Sequence, residues 1–153
     1  MLVLVFHLGA ERYGFEAARV LEVLPRLPCR LLLGVPECVA GIFDYRGVLT
    51  PMVDLCSMFL GRPAADRLST RLIVVEVPSG RGTDRRALGL VAERITETIS
   101  ADLARLQPSR VRSDFSCMGE LIPHPDGPIQ LVRPDELLSP ELRDRLYFEE
   151  AGA

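Results

Sequence analysis

Gly41-Ile42-Phe43-Asp44-Tyr45-Arg46-Gly47-Val48 places an Asp, a Tyr and an Arg in the middle of an otherwise apolar stretch, and Pro51-Met52-Val53-Asp54-Leu55 follows shortly after. Apolar residues alternate on both sides of the polar tip. Val39 to Tyr45 and Val48 to Val53 therefore read as two antiparallel strands joined by a tight Arg46-Gly47 turn, with Gly47 supplying a positive φ. Asp54 is a capping-type residue in front of Leu55 to Leu60, and Gly61 follows, so a helix of one to two turns is expected there. The tip has two readings. It is a solvated turn, or Arg46 presents a planar fork of donors to a partner's carboxylate or carbonyl. Glu22, isolated among Val20, Leu21, Val23 and Leu24, has the same two readings: a solvent-facing strand residue, or the matching acid on a protein-binding face.

The rest of the chain has the same texture. Leu2 to Leu8 is an apolar run with Leu4, Phe6 and Leu8 on one face. A Gly9-Ala10-Glu11-Arg12 turn and a short Tyr13 to Phe15 strand make it a hairpin. Glu16 to Arg19 fits one helical turn, and Val20 to Leu24 a strand ended by Pro25. A polar, proline-containing segment from Arg62 to Ser69 separates this half from a second β region. That region holds Leu72 to Val77, Ala87 to Val91, Arg94 to Ile99, Leu121-Ile122 and Ile129 to Val132. Residues 101–118 carry little periodicity. Pro134 to Tyr147 reads as a helix with Asp135 and Glu136 near its positive end and a stripe of Leu137, Leu138, Leu142 and Leu146. The expectation is a mainly β protein of barrel or sandwich type. It divides into lobe one over about 1–61, lobe two over about 70–133, and a C-terminal helix over about 134–148 that packs back on the lobes. A groove between such lobes is a natural seat for a partner's helix or loop.

Composition narrows the function classes. The chain has 153 residues, 48% hydrophobic and 25% charged, which fits one globular domain and not a disordered segment. Every basic residue is Arg, which excludes a Schiff-base or P-loop Lys. A net charge of −3 offers no basic field for nucleic acid. The opening apolar run lacks a basic n-region and is short for a signal sequence, and no other run approaches a membrane span. These features predict a cytoplasmic protein with no direct membrane insertion. Cys29, Cys38, Cys56 and Cys117 have no C-x-x-C spacing and read as reduced, packed thiols, with Cys38 and Cys56 buried. His7 reads as a polar-face strand residue and His124, between Pro123 and Pro125, as a loop residue. Neither has metal-ligand company. Glu149-Glu150 reads as a tail pair. No catalytic, cofactor or metal set is expected, and a small ligand-binding β domain with a metabolite in the groove is the alternative to a protein-binding role.

These segments resemble the CheW family of bacterial chemotaxis coupling proteins. Phe6-His7-Leu8-Gly9 with Tyr13-Gly14-Phe15 is similar to the family's opening hairpin, and Val20-Leu21-Glu22-Val23 to its V-x-E-hydrophobic strand. The block from Gly41-Ile42 through Arg46-Gly47-Val48 to Pro51-Met52-Val53-Asp54-Leu55 is similar to the family's most specific stretch. Thr70 to Val77, Gly89-Leu90-Val91, Ile95 and Asp135-Glu136-Leu137-Leu138 follow its later order more loosely. The resemblance implies two intertwined, five-stranded SH3-like β-barrels and a non-enzymatic adaptor. Such an adaptor joins the cytoplasmic tip of methyl-accepting chemoreceptors to the regulatory domain of a CheA-type histidine kinase, in association with membrane receptor arrays. It places Val20, Glu22, Gly41, Asp44, Tyr45 and Arg46 on or beside the receptor-facing surface, and Gly89 and Ile95 at the inter-lobe groove.

Four positions depart from the family pattern. Asp44-Tyr45 stands where Asn-Leu is usual, Glu93 where Asp is usual, and Thr98 where an apolar residue is usual. A changed tip beside the receptor contact points to a dedicated receptor, as in parallel, non-flagellar systems that govern surface sensing, biofilm formation or second-messenger output.

Overall fold

The computed structural model describes residues 1–148, except the side chain of residue 96. The Glu149-Glu150 pair lies outside the described residues. The first strand, β1 (Leu2–Leu8), is apolar at every position but His7 because both of its faces are covered. Leu4, Phe6 and Leu8 enter the main core with Phe15, Val53, Leu72 and Leu90, whereas Val3 and Val5 pack with Ile122, Ile129 and Leu131. The Phe6 and Phe15 rings stack with centroids 4.9 Å apart. Fully burying one such side chain contributes about 1.5–3 kcal/mol, and β1, with residues in both clusters, joins them. β2 (Glu11–Glu16) returns antiparallel with Leu8 opposite Glu11, so the turn is Gly9-Ala10 alone. The expected four-residue turn is thus shortened: Gly9 takes φ 64, and Glu11 and Arg12 already belong to the ladder.

A 3-10 turn (Ala17–Arg19) leads to β3 (Val20–Pro25), and after an irregular stretch come β4 (Val39–Tyr45) and β5 (Val48–Asp54). Helix α1 (Leu55–Leu60) starts at Asp54, whose carboxylate accepts the Cys56 and Ser57 N–H groups, and stops at Gly61 in the left-handed conformation. β6 (Arg71–Pro78) and β7 (Arg85–Ser100) follow, then a 3-10 turn (Leu103–Arg105), β8 (Met118–Ile122) and β9 (Ile129–Val132). The alternating stretches 87–91 and 94–99 are therefore one strand. Its first half pairs antiparallel with β6 and parallel with β5, and its second half pairs antiparallel with β1. Between Glu93 and Glu97 β7 carries residues that β1 does not match, and Arg94 turns to φ 52 there. That break hands the strand from one set of partners to the other.

Two sets of pairings result, ordered β7-β1-β2-β9-β8 and β3-β6-β7-β5-β4, with β7 common to both. The first set draws on both ends of the chain, so this partition does not follow a cut between residues 61 and 70. Pairing β2 with the late strand β9 explains it: the Arg12–Gly14 edge is left open by the hairpin and is filled by Ile129–Leu131 in parallel.

The expected helix over 134–147 is divided. Pro134–Glu136 is a 3-10 turn, Leu137 and Leu138 are buried, and α2 (Pro140–Leu146) begins afresh. The residue before a proline is disfavoured in helical φ/ψ. Ser139 is accordingly extended, and its hydroxyl caps α2 by accepting the Leu142 N–H at 3.2 Å. The segment between Leu103–Arg105 and β8 is irregular but anchored, with Phe115 edge-on to Phe59 at 4.9 Å.

Candidate functional site

The β4–β5 hairpin ends in a turn in which Arg46 and Gly47 both have positive φ, 51 and 84. That pair of angles belongs to a two-residue hairpin turn whose twist matches the strands, and it costs an Arg more than a Gly. Asp44 offsets part of the cost: its Oδ1 accepts the Gly47 N–H at 2.7 Å across the turn. Arg46 is held by its neighbours. Its Nη2 donates to Glu22 Oε2 at 3.0 Å, and its guanidinium carbon lies 5.5 Å from the Tyr45 ring centroid. The Tyr45 hydroxyl donates to the same Glu22 oxygen at 2.9 Å.

These bonds join opposite ends of one strand set. β3, which carries Glu22, and β4, which carries Tyr45, are its two outermost strands. Hydrogen bonds from Arg46 and then Tyr45 hold the Glu22 carboxyl below the usual carboxylate range, and the same contact raises Arg46. Burial first, and then Glu22, pushes the Tyr45 hydroxyl up. At neutral pH Glu22 and Arg46 are thus charged, and Tyr45 keeps the proton that it donates to Glu22. Glu22 Oε1 and most Arg46 N–H groups have no partner among the described residues.

The other candidates fall in different places. Val20 is half-buried in β3. Gly41 is buried, with φ 149, and a Cβ there would come 2.1 Å from the Arg30 carbonyl oxygen. It lets Arg30 pair with Ile42 through two backbone bonds of 2.7 and 3.0 Å, so Gly41 seats the preceding loop against β4. Gly89 is covered by the Phe43 ring, which a Cβ would approach to 2.6 Å. Ile95 lines a groove of about 540 Å³ with Leu4, Val23 and Thr98, and Gly89 is not on its wall. Sequence reading missed the apolar border of the tip. Val48, opposite Tyr45, is 62% exposed and Leu49, opposite Asp44, is 71% exposed. Alternation assigned both to a strand but gave no sign that the hairpin end projects beyond its neighbours.

Glu93 has a separate role. Its carboxylate takes Arg62 in a fork (2.9 and 3.2 Å) and the Ala65 N–H at 2.7 Å, pinning the segment after α1 onto β7. Arg62 above all holds it down at about 2. Among the described residues no three His, Cys, Asp or Glu side chains gather as a metal site. His124 sits in the β8–β9 loop with Nδ1 against Arg12 at 2.9 Å. All four cysteines are free. Cys38 is half-buried where full burial was expected, because β4 begins beside it at the sheet margin. Burial pushes the Cys56 thiol up to about 12 and the Cys117 thiol to about 11. No helix among the described residues is long and apolar enough to cross a membrane.

Comparison with known proteins gives a consistent result. A chemotaxis protein CheW of Klebsiella aerogenes is 24% identical over 106 residues, 69% of this chain and 60% of that protein. One from Rhizobium meliloti is 26% identical over 115 residues, 74% of this chain and 70% of that protein. The match to a Helicobacter pylori CheW, 27% identical, covers 67% of this chain and 59% of the relative. The chain thus spans about three-fifths of the length of two of these relatives. The crystal structure of the scaffolding protein TtCheW from Thermoanaerobacter tengcongensis superposes with a TM-score of 0.80 at 23% identity, over 92% of this chain and 89% of that one. The mainly β fold with short helices is therefore that of a CheW scaffold. A model of the CheW-like domain matches residues 2–141, and the chain belongs to that family.

Proposed function

We propose that this chain is a non-enzymatic chemosensory adaptor that couples the cytoplasmic tip of methyl-accepting chemoreceptors to the regulatory domain of a CheA-type histidine kinase. The observation that carries the reading is the hairpin tip. Arg46 and Glu22 hold each other in place while keeping bonding capacity outward, and exposed Val48 and Leu49 border them. A charged anchor beside apolar residues on a rigid turn loses little entropy on binding, which suits recognition of a receptor helix. Relatives named chemotaxis protein CheW support the partner classes. The absence of catalysis is part of the proposal, supported for two of the four thiols, Cys56 and Cys117, by burial that raises them well above the nucleophilic range. A cytoplasmic place beneath membrane receptor arrays follows from those partners.

The finer assignment is to a dedicated receptor in a non-flagellar pathway of surface sensing or biofilm control, resting on Asp44-Tyr45 in place of the family's Asn-Leu. Calorimetry of the full chain with receptor cytoplasmic hairpins and kinase regulatory domains from the same organism tests both levels. Affinities of micromolar order are expected for such contacts. Arg46→Ala is expected to weaken receptor binding about five- to a hundredfold, the range for a lost charge-assisted hydrogen bond. No complex with any receptor or kinase, together with saturable binding of a metabolite in the Ile95 groove, overturns the adaptor reading in favour of a ligand-binding domain. Tight binding to a flagellar-pathway receptor overturns the finer assignment alone.

A further inference from the structure

Opposite the hairpin tip in role, and built from residues that neither receptor nor kinase reading uses, a second depression opens where β7 changes partners. It measures about 310 Å³ and is lined by Arg62, Arg67 and Arg94 with Ser69, Thr70 and Glu93. Glu93 is already held by Arg62 and the Ala65 N–H. Three arginines and one glutamate line the cavity, and only Arg62 is spent on that glutamate, so its wall carries more positive than negative side chains although the chain's net charge is −3. The Arg67 and Arg94 guanidinium groups and the Ser69 hydroxyl have no partner among the described residues.

Arg94 adds a second observation. Only it and Arg46 among the described non-glycine residues adopt a positive φ. An L-residue kept in that conformation needs a reason, and strained residues gather where side chains must be aimed. Here the turn at φ 52 takes Arg94 out of the ladder at the register break, between buried Glu93 and buried Ile95, and leaves its side chain exposed beside Arg62 and Arg67.

We propose that this depression binds the phosphate or pyrophosphate group of a small phosphorylated metabolite. Forked, permanently charged donors match tetrahedral oxyanions, and several converging on one cavity hold more than one oxygen at once. No aromatic ring lines the cavity, so the recognised part is the charged group and not a stacked base.

The test is amide NMR of the full chain titrated with inorganic phosphate and pyrophosphate at low salt. Saturable shifts are expected at Gly9, Ser69, Thr70 and Arg94, stronger for pyrophosphate. Arg94→Gly is the decisive variant, because glycine suits φ 52. It should keep or raise the melting temperature while lowering pyrophosphate affinity about tenfold or more, the loss expected for a charged donor. Arg67→Gln should act in the same direction, and Arg110→Gln with Arg112→Gln, on a different basic segment, should change nothing. Shifts that stay linear to about 10 mM, well above a millimolar Kd, overturn the proposal. So does unchanged affinity in Arg94→Gly, or an equal loss in the Arg110/Arg112 variant, which would mark general charge attraction.

Discussion

Asp54→Ala is expected to be among the most damaging single polar substitutions in this chain, through backbone bonds alone. Its side chain, in a residue only 5% exposed, accepts three backbone N–H groups: Cys56 at 2.9 Å, Ser57 at 3.2 Å and Ala64 at 2.9 Å. The first two cap α1, and losing a cap costs about 1 kcal/mol. The third closes the loop after α1, and Ala64 is itself buried, so its orphaned N–H adds about 1–3 kcal/mol. Roughly 2–4 kcal/mol is a large share of the 5–15 kcal/mol that holds a typical domain. At about 2–4 °C per kcal/mol for a chain of this size, the melting temperature should fall by roughly 10 °C. Asp54→Asn should recover only part of this, since an amide can keep the Cys56 and Ser57 bonds with its oxygen but then turns its NH₂ toward the Ala64 N–H. Urea unfolding and amide exchange at Ala64 read both effects. A loss below about 0.5 kcal/mol, or unaltered Ala64 protection, refutes the reasoning.

Acid should act through Glu93. Its folded-state value near 2 lies below the ordinary 4.5, chiefly because Arg62 binds the charged form, so its stabilisation is present above pH 4.5 and is lost as pH falls from there toward 2. Unfolding free energy should drop across that window in the wild type and drop less steeply in Glu93→Gln; equal slopes refute the assignment. Alkylation of the native chain should spare Cys56 and Cys117, whose thiols lie at about 12 and 11, until denaturant is added. Rapid native labelling of Cys56 would contradict its burial and reopen a thiol-based activity. Arg46→Lys should recover part of the receptor affinity lost in Arg46→Ala with no change in melting temperature. A clear fall in melting temperature at constant affinity per folded molecule would make Arg46 a brace of its own hairpin.

Local features were legible in the sequence where local chemistry fixes them. The 39–53 hairpin, the Asp54 cap and the Gly61 stop follow from alternation, capping preference and φ, and all three recur in the structure. What escaped depends on pairing across distance. Nothing local in Ala87 to Ile99 says that one strand serves two sets of partners, because both halves alternate equally well and only the φ of Arg94 marks the handover. Nothing local in Arg12 to Gly14 names Ile129 to Leu131 as its neighbour. The division of the last helix was present in the sequence as Pro140, whose effect on Ser139 the leucine stripe outweighed in the reading. For the site, residue types were legible but their grouping was not. Glu22 meets Tyr45 and Arg46 because two outermost strands approach each other, whereas Gly41 and Gly89 prove to be places where another chain segment or ring needs the room of a missing Cβ.

That grouping changes the meaning of the two departures at the tip. Read as sequence, Asp44 and Tyr45 look like new surface chemistry offered to a different receptor. In the structure both are engaged by the protein itself: exposed Asp44 accepts from the Gly47 N–H, and Tyr45 donates to Glu22. An Asn in place of Asp44 keeps an oxygen for the turn, but a Leu in place of Tyr45 leaves Glu22 with Arg46 alone and removes the ring over which Arg46 lies. The consequence is a stiffer, pre-aimed Arg46 more than a relabelled surface. Specificity by stiffness has a signature that specificity by new contacts lacks. Tyr45→Leu should relax Arg46, slow the capture of the cognate receptor tip and broaden the range of tips bound, because a preorganised donor rejects partners whose acceptor sits elsewhere. Calorimetry against a panel of receptor hairpins decides between the two. If Tyr45→Leu loses the cognate tip and gains no other, Tyr45 touches the receptor itself, and the stiffening argument fails.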